Sequence, residues 1–326
     1  MILVTGARGQ IGSDLAKALR ARDGDRAVLE TDLLPPPSNG KPSPGSPSPD
    51  APGLYEVLDV TDRQRLEALV TQYRVDTIYH LASLLSAKGE QQPELSWHVN
   101  LDGLRNVLDV ARAYGLRVFW PSSIAVFGPT TPREATPQRT VLEPATMYGV
   151  TKVSGELLCQ YYAHRFGVDV RSVRLPGIIS YSTPPGGGTT DYAVEIFYEA
   201  LRHGAYTCFV GPETRLPMMY MPDAIKAMLD LMDAAAPALS VRTSYNVAAL
   251  SFTAAELAAE IRRRLPGFEC RYAPDFRQQI ADSWPATVDD RVARADWGWR
   301  PDYDLPALVD DMLAKLSKRL EVPAEL

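Results

Sequence analysis

The chain has 326 residues, 45% of them hydrophobic and 23% charged, a composition that suits a globular protein able to bury one large core or two modest ones. Its net charge of −6 and pI of about 5.4 exclude the basic footprint of a nucleic-acid or anionic-membrane partner. Three scattered cysteines, Cys159, Cys208 and Cys270, form no CxxC pair, and His80, His98, His164 and His203 lack ligand spacing, so neither a disulfide framework nor a metal centre is expected. No apolar run reaches the length of a membrane span, and the strand-like opening Met1 to Gly6 leaves no room for a leader. The expected location is the reducing cytoplasm, with the cysteines as buried thiols.

Met1 to Thr5 reads as a buried strand that enters Gly6-Ala7-Arg8-Gly9-Gln10-Ile11-Gly12, followed by a helix to about Arg22. Glycines at this spacing, between a strand and a helix, let the backbone approach a pyrophosphate at the helix N-terminus. The next strand, Ala27 to Thr31, ends at Asp32, twenty residues after Gly12, where a dinucleotide-binding unit places the acid for the adenosine ribose hydroxyls. A carboxylate there repels a 2′-phosphate, so the expected cofactor is NAD, with Leu33 beside the acid. The Pro-, Ser- and Gly-rich stretch 35–53 reads as an exposed, mobile excursion.

Alternation of strands and helices then resumes, with strands at Tyr55 to Asp59 and Thr77 to Leu81 around a helix at about Asp62 to Tyr73. Asp59 and Val60 are candidate adenine contacts, and Leu81, Ala82 and Ser83 would pass beneath the cofactor, all at carboxyl ends of strands. A long helix, Leu95 to Tyr114, carries Asn100 near its start. A strand at Val118 to Trp120 leads into Pro121-Ser122-Ser123. In Thr146 to Phe166, Tyr148 and Lys152 stand four residues apart on one helical face. A free tyrosine has a pKa of about 10, so it acts as a base near neutral pH only if a cation such as this ammonium or an oxidised nicotinamide stabilises the phenolate. A further strand, Val168 to Arg174, ends in a rigid turn at Leu175-Pro176-Gly177-Ile178 that could pack against the nicotinamide. Six strands alternating with helices predict an α/β fold, a doubly wound parallel sheet of Rossmann type.

The second half predicts a smaller substrate-binding region. The segment Thr183-Pro184-Pro185-Gly186-Gly187-Gly188-Thr189-Thr190-Asp191-Tyr192 reads as a glycine-rich loop running into a helix of about Val194 to His203, able to hold a small polar substrate. It lacks the lysine of a nucleotide phosphate loop. Strands are expected at Thr207 to Val210 and Leu216 to Met221, and helices at Asp223 to Asp233 and Leu305 to Leu320. Met218 to Met221 reads as core, and Thr253 with Glu256 forms a capping box. Domain boundaries fall at 1–178 for the dinucleotide domain and 179–326 for the substrate region, with part of 205–248 returning to the first.

Glycine turn, ribose acid, Ser123 and the Tyr148/Lys152 pair follow in the order found in extended short-chain dehydrogenases/reductases, which the chain resembles over nearly its whole length. The likeness is strongest to one branch, the NAD-dependent L-threonine 3-dehydrogenases. It is carried by PSSIAVFGPTTPRE, MYGVTKVSGELLCQYYAHRFGVDVRSVRLPGIIS, TPPGGGTTDYAVEIFYEAL, LPMMYMPDAI, PDFRQQIADSWP and DWGW. The resemblance implies that Ser123 orients the alcohol, Tyr148 is the base, and Lys152 holds the phenolate and the nicotinamide ribose. Counting back from Phe127-Gly128 favours Ser123 over Ser122. It implies that Ser83, Gly188, Thr189, Thr190, Asp191 and Trp284 surround the amino acid, and that a homodimer forms through the helices 95–114 and 146–166. Leu175 stands where such enzymes often have tyrosine. Two other functions share these motifs: a nucleotide-sugar epimerase or dehydratase, which returns the hydride, and a non-catalytic NAD sensor.

Overall fold

Strand Ile2–Thr5 lies inside a six-stranded, all-parallel sheet whose order across the sheet is Leu54–Val57, Val28–Asp32, Ile2–Thr5, Thr77–His80, Arg117–Phe119, Val170–Arg171. Numbered along the chain this is 3-2-1-4-5-6, the doubly wound order, with the crevice for a ligand where the order reverses beside the first strand. The computed structural model describes residues 1–35, 53–186 and 188–321, so the stretch expected to form an exposed excursion lies almost wholly outside the described residues.

The strands read as near-continuous apolar runs because both faces are covered. Leu3, Leu29, Ile78, Val118 and Val170 point to one face and pack on the helices Arg63–Tyr73, Gly103–Tyr114 and Met147–Phe166. Their neighbours Val4, Val28, Tyr79 and Phe119 point to the other and pack on Gln10–Asp23 and Met221–Asp233. A third core gathers the helices Tyr192–His203, Ala254–Arg264 and Leu305–Leu320 with Ile124 to Phe127 and Trp284. Met218, Met219, Tyr220 and Met221 are all buried, as expected of core filling. The Thr253/Glu256 capping box forms. Among the described residues no helix is long and apolar enough to cross a membrane.

Three local expectations change. The helix predicted at Leu95 to Tyr114 is Pro93–Trp97, a π-helical turn His98–Asp102, and Gly103–Tyr114. The wider turn holds Asn100, whose buried amide is braced by partners outside the helix. The strand predicted at Val168 to Arg174 breaks at Ser172. Val170–Arg171 completes the large sheet, whereas Val173–Leu175 lies between Ser122–Ser123 and Tyr245–Asn246 in a separate three-stranded sheet. The expected turn at Pro176-Gly177 is only a change of partner. Pro176 has no N–H to donate, and Gly177–Ile179 continues as a strand paired with Met218–Tyr220. Of the cysteines, Cys159 and Cys208 are buried and Cys270 is only partly so.

Candidate active site

The glycine turn is shaped by steric need. Gly6 has φ of +67°, a left-handed conformation, and a Cβ there would sit 2.7 Å from the Ala82 amide nitrogen. A Cβ on Gly12 would run into the Gly6 carbonyl oxygen, so the helix and the turn can close only on a glycine. Helix Gln10–Asp23, whose first residues are Gln10 and Ile11, starts at the exposed Gly9 with no side-chain cap and no acid in its first turn. Its free N–H groups suit an anion. At the end of the second strand, the Asp32 carboxylate accepts from the Arg8 amide at 3.0 Å and the Leu33 amide at 2.8 Å, and two of its four lone-pair sites remain for ribose hydroxyls. These features fit a dinucleotide.

Asp59 is exposed and turned back on Thr61, its Oδ1 accepting from the Thr61 amide at 2.9 Å, while Val60 is buried against Gly103. Leu81 and Ala82 hang from Thr5, through its carbonyl and hydroxyl respectively. Asn100 spends its side chain on protein. Its Oδ1 accepts from the Leu84 amide at 2.8 Å and the Ser83 hydroxyl at 3.1 Å, and its Nδ2 donates to Leu84 O and to Thr151 Oγ1, both at 3.1 Å. It therefore braces the 83–84 segment against the Tyr148 helix.

The two serines that follow Pro121 part ways because successive strand residues face opposite sides. Ser122 is buried and donates to Glu156 Oε1 at 2.6 Å. Ser123 faces the other side, where its hydroxyl accepts from the Ala125 amide at 3.2 Å and lies close enough to Tyr148 to lower the pKa of its phenol. Thr146 caps the helix Met147–Phe166 that carries Tyr148 and Lys152. Lys152 is almost wholly buried, donates to the Pro121 carbonyl at 2.7 Å, and lies 4.6 Å from the centre of the Trp120 ring.

The ammonium also lies beside the phenol, as the four-residue spacing suggested. It stands 5.4 Å from the centre of the Tyr148 ring. In the chain by itself, burial pushes the Tyr148 phenol up to about 12 against the lowering effect of the nearby Ser123 hydroxyl. Burial pushes Lys152 down to about 7, opposed by nearby Cys159 and Glu156. A phenolate at neutral pH needs positive charge brought in with the cofactor.

The 188–191 loop closes on itself. The Asp191 carboxylate accepts from the amides of Gly186 at 2.7 Å and Gly188 at 2.8 Å, and Thr189 is buried. Thr190 lies against Gly177, where an added Cβ would come within 2.7 Å of its methyl group, so the loop meets the Leu175-Pro176-Gly177-Ile178 segment. Trp284 belongs to the apolar cluster against which Tyr148 packs. Gly187 lies outside the described residues. Sequence reasoning missed three buried polar residues: His80, Glu156 and Arg174. Glu156 continues the four-residue spacing of Tyr148 and Lys152, and Arg174 is a cation inside an apolar strand; both were visible signals.

The family model described as the NAD-dependent epimerase/dehydratase family matches residues 2–248. A mitochondrial L-threonine 3-dehydrogenase of Sus scrofa is 49% identical over 313 residues, covering 96% of this chain and 81% of that protein. The crystal structure of L-threonine dehydrogenase from Phytophthora infestans superposes with a TM-score of 0.92 at 51% identity, covering 98% of this chain and 99% of that one. A monomeric L-threonine 3-dehydrogenase from a metagenome does so with a TM-score of 0.91 at 46% identity, covering 98% and 99%.

Proposed function

The chain belongs to the NAD-dependent epimerase/dehydratase family, and on that premise we propose that it is an L-threonine 3-dehydrogenase, oxidising the β-hydroxyl of L-threonine to 2-amino-3-oxobutyrate with NAD. The observation that carries the reading is the Ser123 hydroxyl set against the Tyr148 phenol, whose pKa it lowers, on a helix whose Lys152 is buried 5.4 Å from the centre of the Tyr148 ring. When bound, NAD⁺ supplies the hydride acceptor and a positive charge next to the phenol. Gly6, Gly9 and Gly12 give its pyrophosphate a close backbone and open amides, Asp32 accepts from its ribose, and Lys152 presents a cation toward it. Ser123 orients the substrate hydroxyl, and Tyr148 takes its proton. The Thr189–Asp191 loop and Trp284 enclose the amino acid and exclude water, which strengthens each charge interaction inside.

We assign 1–178 as the dinucleotide-binding domain and 179–326 mainly as the substrate region. Helix Met221–Asp233, packed on Gln10–Asp23, supports a partial return to the first domain. The association we propose is a homodimer through the helices Pro93–Tyr114 and Met147–Phe166, which leave Trp97, Leu157 and Tyr161 45%, 56% and 55% exposed. Three free cysteines support a reducing, cytoplasmic setting.

The test is NADH formation with L-threonine, run beside NADP⁺, L-serine and L-allo-threonine, in the wild type and Tyr148→Phe. Threonine-dependent NADH that falls by roughly 10²–10⁴-fold in the variant, with NAD binding kept, is expected. Tightly held NAD without net NADH from any amino acid would instead favour the nucleotide-sugar reading.

A further inference from the structure

Two turns along the helix from Tyr148, and one from Lys152, the carboxylate of Glu156 is only 1% exposed. Its Oε1 accepts from Ser122 Oγ at 2.6 Å and from Arg174 Nε at 2.8 Å, and its Oε2 accepts from Arg174 Nη2 at 2.7 Å. Arg174 is itself 3% exposed, and its remaining nitrogen, Nη1, donates to the Gln138 carbonyl and to Asn246 Oδ1, both at 3.0 Å. Gln138 then bonds the Asn246 amide at 2.8 Å and the Ser244 carbonyl at 2.7 Å.

These partners are not scattered. Ser122 pairs with Arg174, and Arg174 with Asn246, in one register row across the three-stranded parallel sheet. Their side chains therefore share a face, and that face meets Glu156. The next row begins with Ser123 paired to Leu175, whose side chains point the opposite way.

We infer that Glu156 is a positioning residue for the reaction: its clamp on the row Ser122, Arg174 and Asn246 sets the distance between the strand end carrying Ser123 and the helix carrying Tyr148 and Lys152. The inference rests on the reading of Ser123, Tyr148 and Lys152 as the catalytic set. The physical reason is one of stiffness. Ser123 lies on a two-residue strand, and Tyr148 lies in the first turn of its helix, two residues after the cap Thr146. The strand is too short to fix its hydroxyl against the helix by its own backbone hydrogen bonds. A bidentate carboxylate–guanidinium pair has fixed geometry, and burial without water makes any departure from it costly. The same clamp reaches the second half of the chain through Asn246 and Gln138, so it ties the catalytic helix to both halves.

Charge is a second consequence. The groups that face Lys152 are Glu156 and Cys159 on its own helix, Tyr148 one turn before, His80 from the central sheet, and the Trp120 ring. Glu156 supplies the one carboxylate of that set, and Arg174 balances it.

The test uses the full chain with two replacements. Glu156→Gln alone leaves the Arg174 cation buried and unpaired and could unfold the protein. The double variant Glu156→Gln with Arg174→Met removes both charges, an exchange that proteins commonly tolerate without loss of stability. Glu156→Asp keeps the charge but shortens the reach. The readouts are thermal unfolding, NADH binding by fluorescence, kcat per NADH-binding site with L-threonine, and the isotope effect on kcat with threonine deuterated at its β-carbon. The expected result is a folded double variant that binds NADH normally but turns over roughly 100-fold more slowly per site, as a misplaced reacting group would. Its isotope effect is large, and Glu156→Asp loses less. Unchanged kcat per NADH-binding site overturns the inference, as does a loss without an isotope effect, because each would mean that the pair serves stability or product release alone. Tyr148→Phe, run in parallel, separates the two readings. If it keeps its turnover, the catalytic set is wrong and the inference falls with it; if it loses turnover while the double variant does not, the inference alone falls.

Discussion

His80 offers a test of the buried site through stability rather than rate. Its ring is wholly enclosed at the end of the fourth strand of the sheet, with Nδ1 2.8 Å from Thr5 Oγ1 and Nε2 without a hydrogen-bond partner. Burial, reinforced by nearby Lys152, pushes its pKa from 6.5 down to about 3. The unfolded chain takes up a proton near pH 6.5, while the folded chain refuses it until about pH 3. Below pH 6.5 protonation therefore favours the unfolded state, and the stability present above that pH is lost as pH falls toward 3. Applied to these two values, linkage gives a loss of about 2 kcal/mol at pH 5. Lys152 does not confuse that window, because its depressed pKa of about 7 adds stability only as pH rises from there toward 10.5. The assay is denaturant unfolding of the protein without added cofactor, at about pH 7.5 and about pH 5, for wild type and His80→Gln. The variant starts less stable, but its loss between the two pH values is smaller by about 2 kcal/mol. An equal loss in both proteins would refute the reasoning and show that the imidazole gains a proton in the fold.

Other consequences can be measured directly. Asp32→Ala removes the charge that repels a 2′-phosphate, and steady-state rates should show the ratio of NADP⁺ to NAD⁺ efficiency rising by about tenfold or more. Ser123→Ala should lower kcat with little change in melting temperature. Ser122→Ala should cost about 1.5–3 kcal/mol of stability in an unfolding titration, since its hydroxyl serves a buried carboxylate, and should also lower kcat, since the Glu156 clamp reaches the strand through it. Leu157→Arg, on the exposed face of the Tyr148 helix, should convert a dimer to a monomer in sedimentation while leaving the fold intact by circular dichroism; a wild type that is already monomeric would sink the proposed interface.

Much of the scaffold was legible because its signals are local. The strand, the glycine turn and the helix beginning at Gln10 follow from short-range sterics, and Asp32 follows from the length of one strand–helix–strand unit. The capping box at Thr253 and the terminal helix Leu305–Leu320 were equally plain. Boundaries failed where a segment changes partners. Val168 to Ile179 is one extended stretch in sequence, but it pairs in three different sheets, and no local pattern says where each exchange falls. The π-helical turn at His98–Asp102 was hidden for the same reason, since Asn100 is turned by partners at Leu84 and Thr151.

Within the site, the sequence alone established which residue types are available and that Tyr148 and Lys152 fall on one helical face, because helical spacing is a property of the backbone. Only the tertiary structure decided what those side chains meet. Strand register sends Ser122 to Glu156 and Ser123 to Tyr148. Packing gives the Lys152 ammonium the Pro121 carbonyl as its acceptor. The clamp between Glu156 and Arg174 joins residues eighteen positions apart. A buried charge must find its partner wherever the fold places one, and that choice is made by packing across the molecule, not by neighbours along the chain.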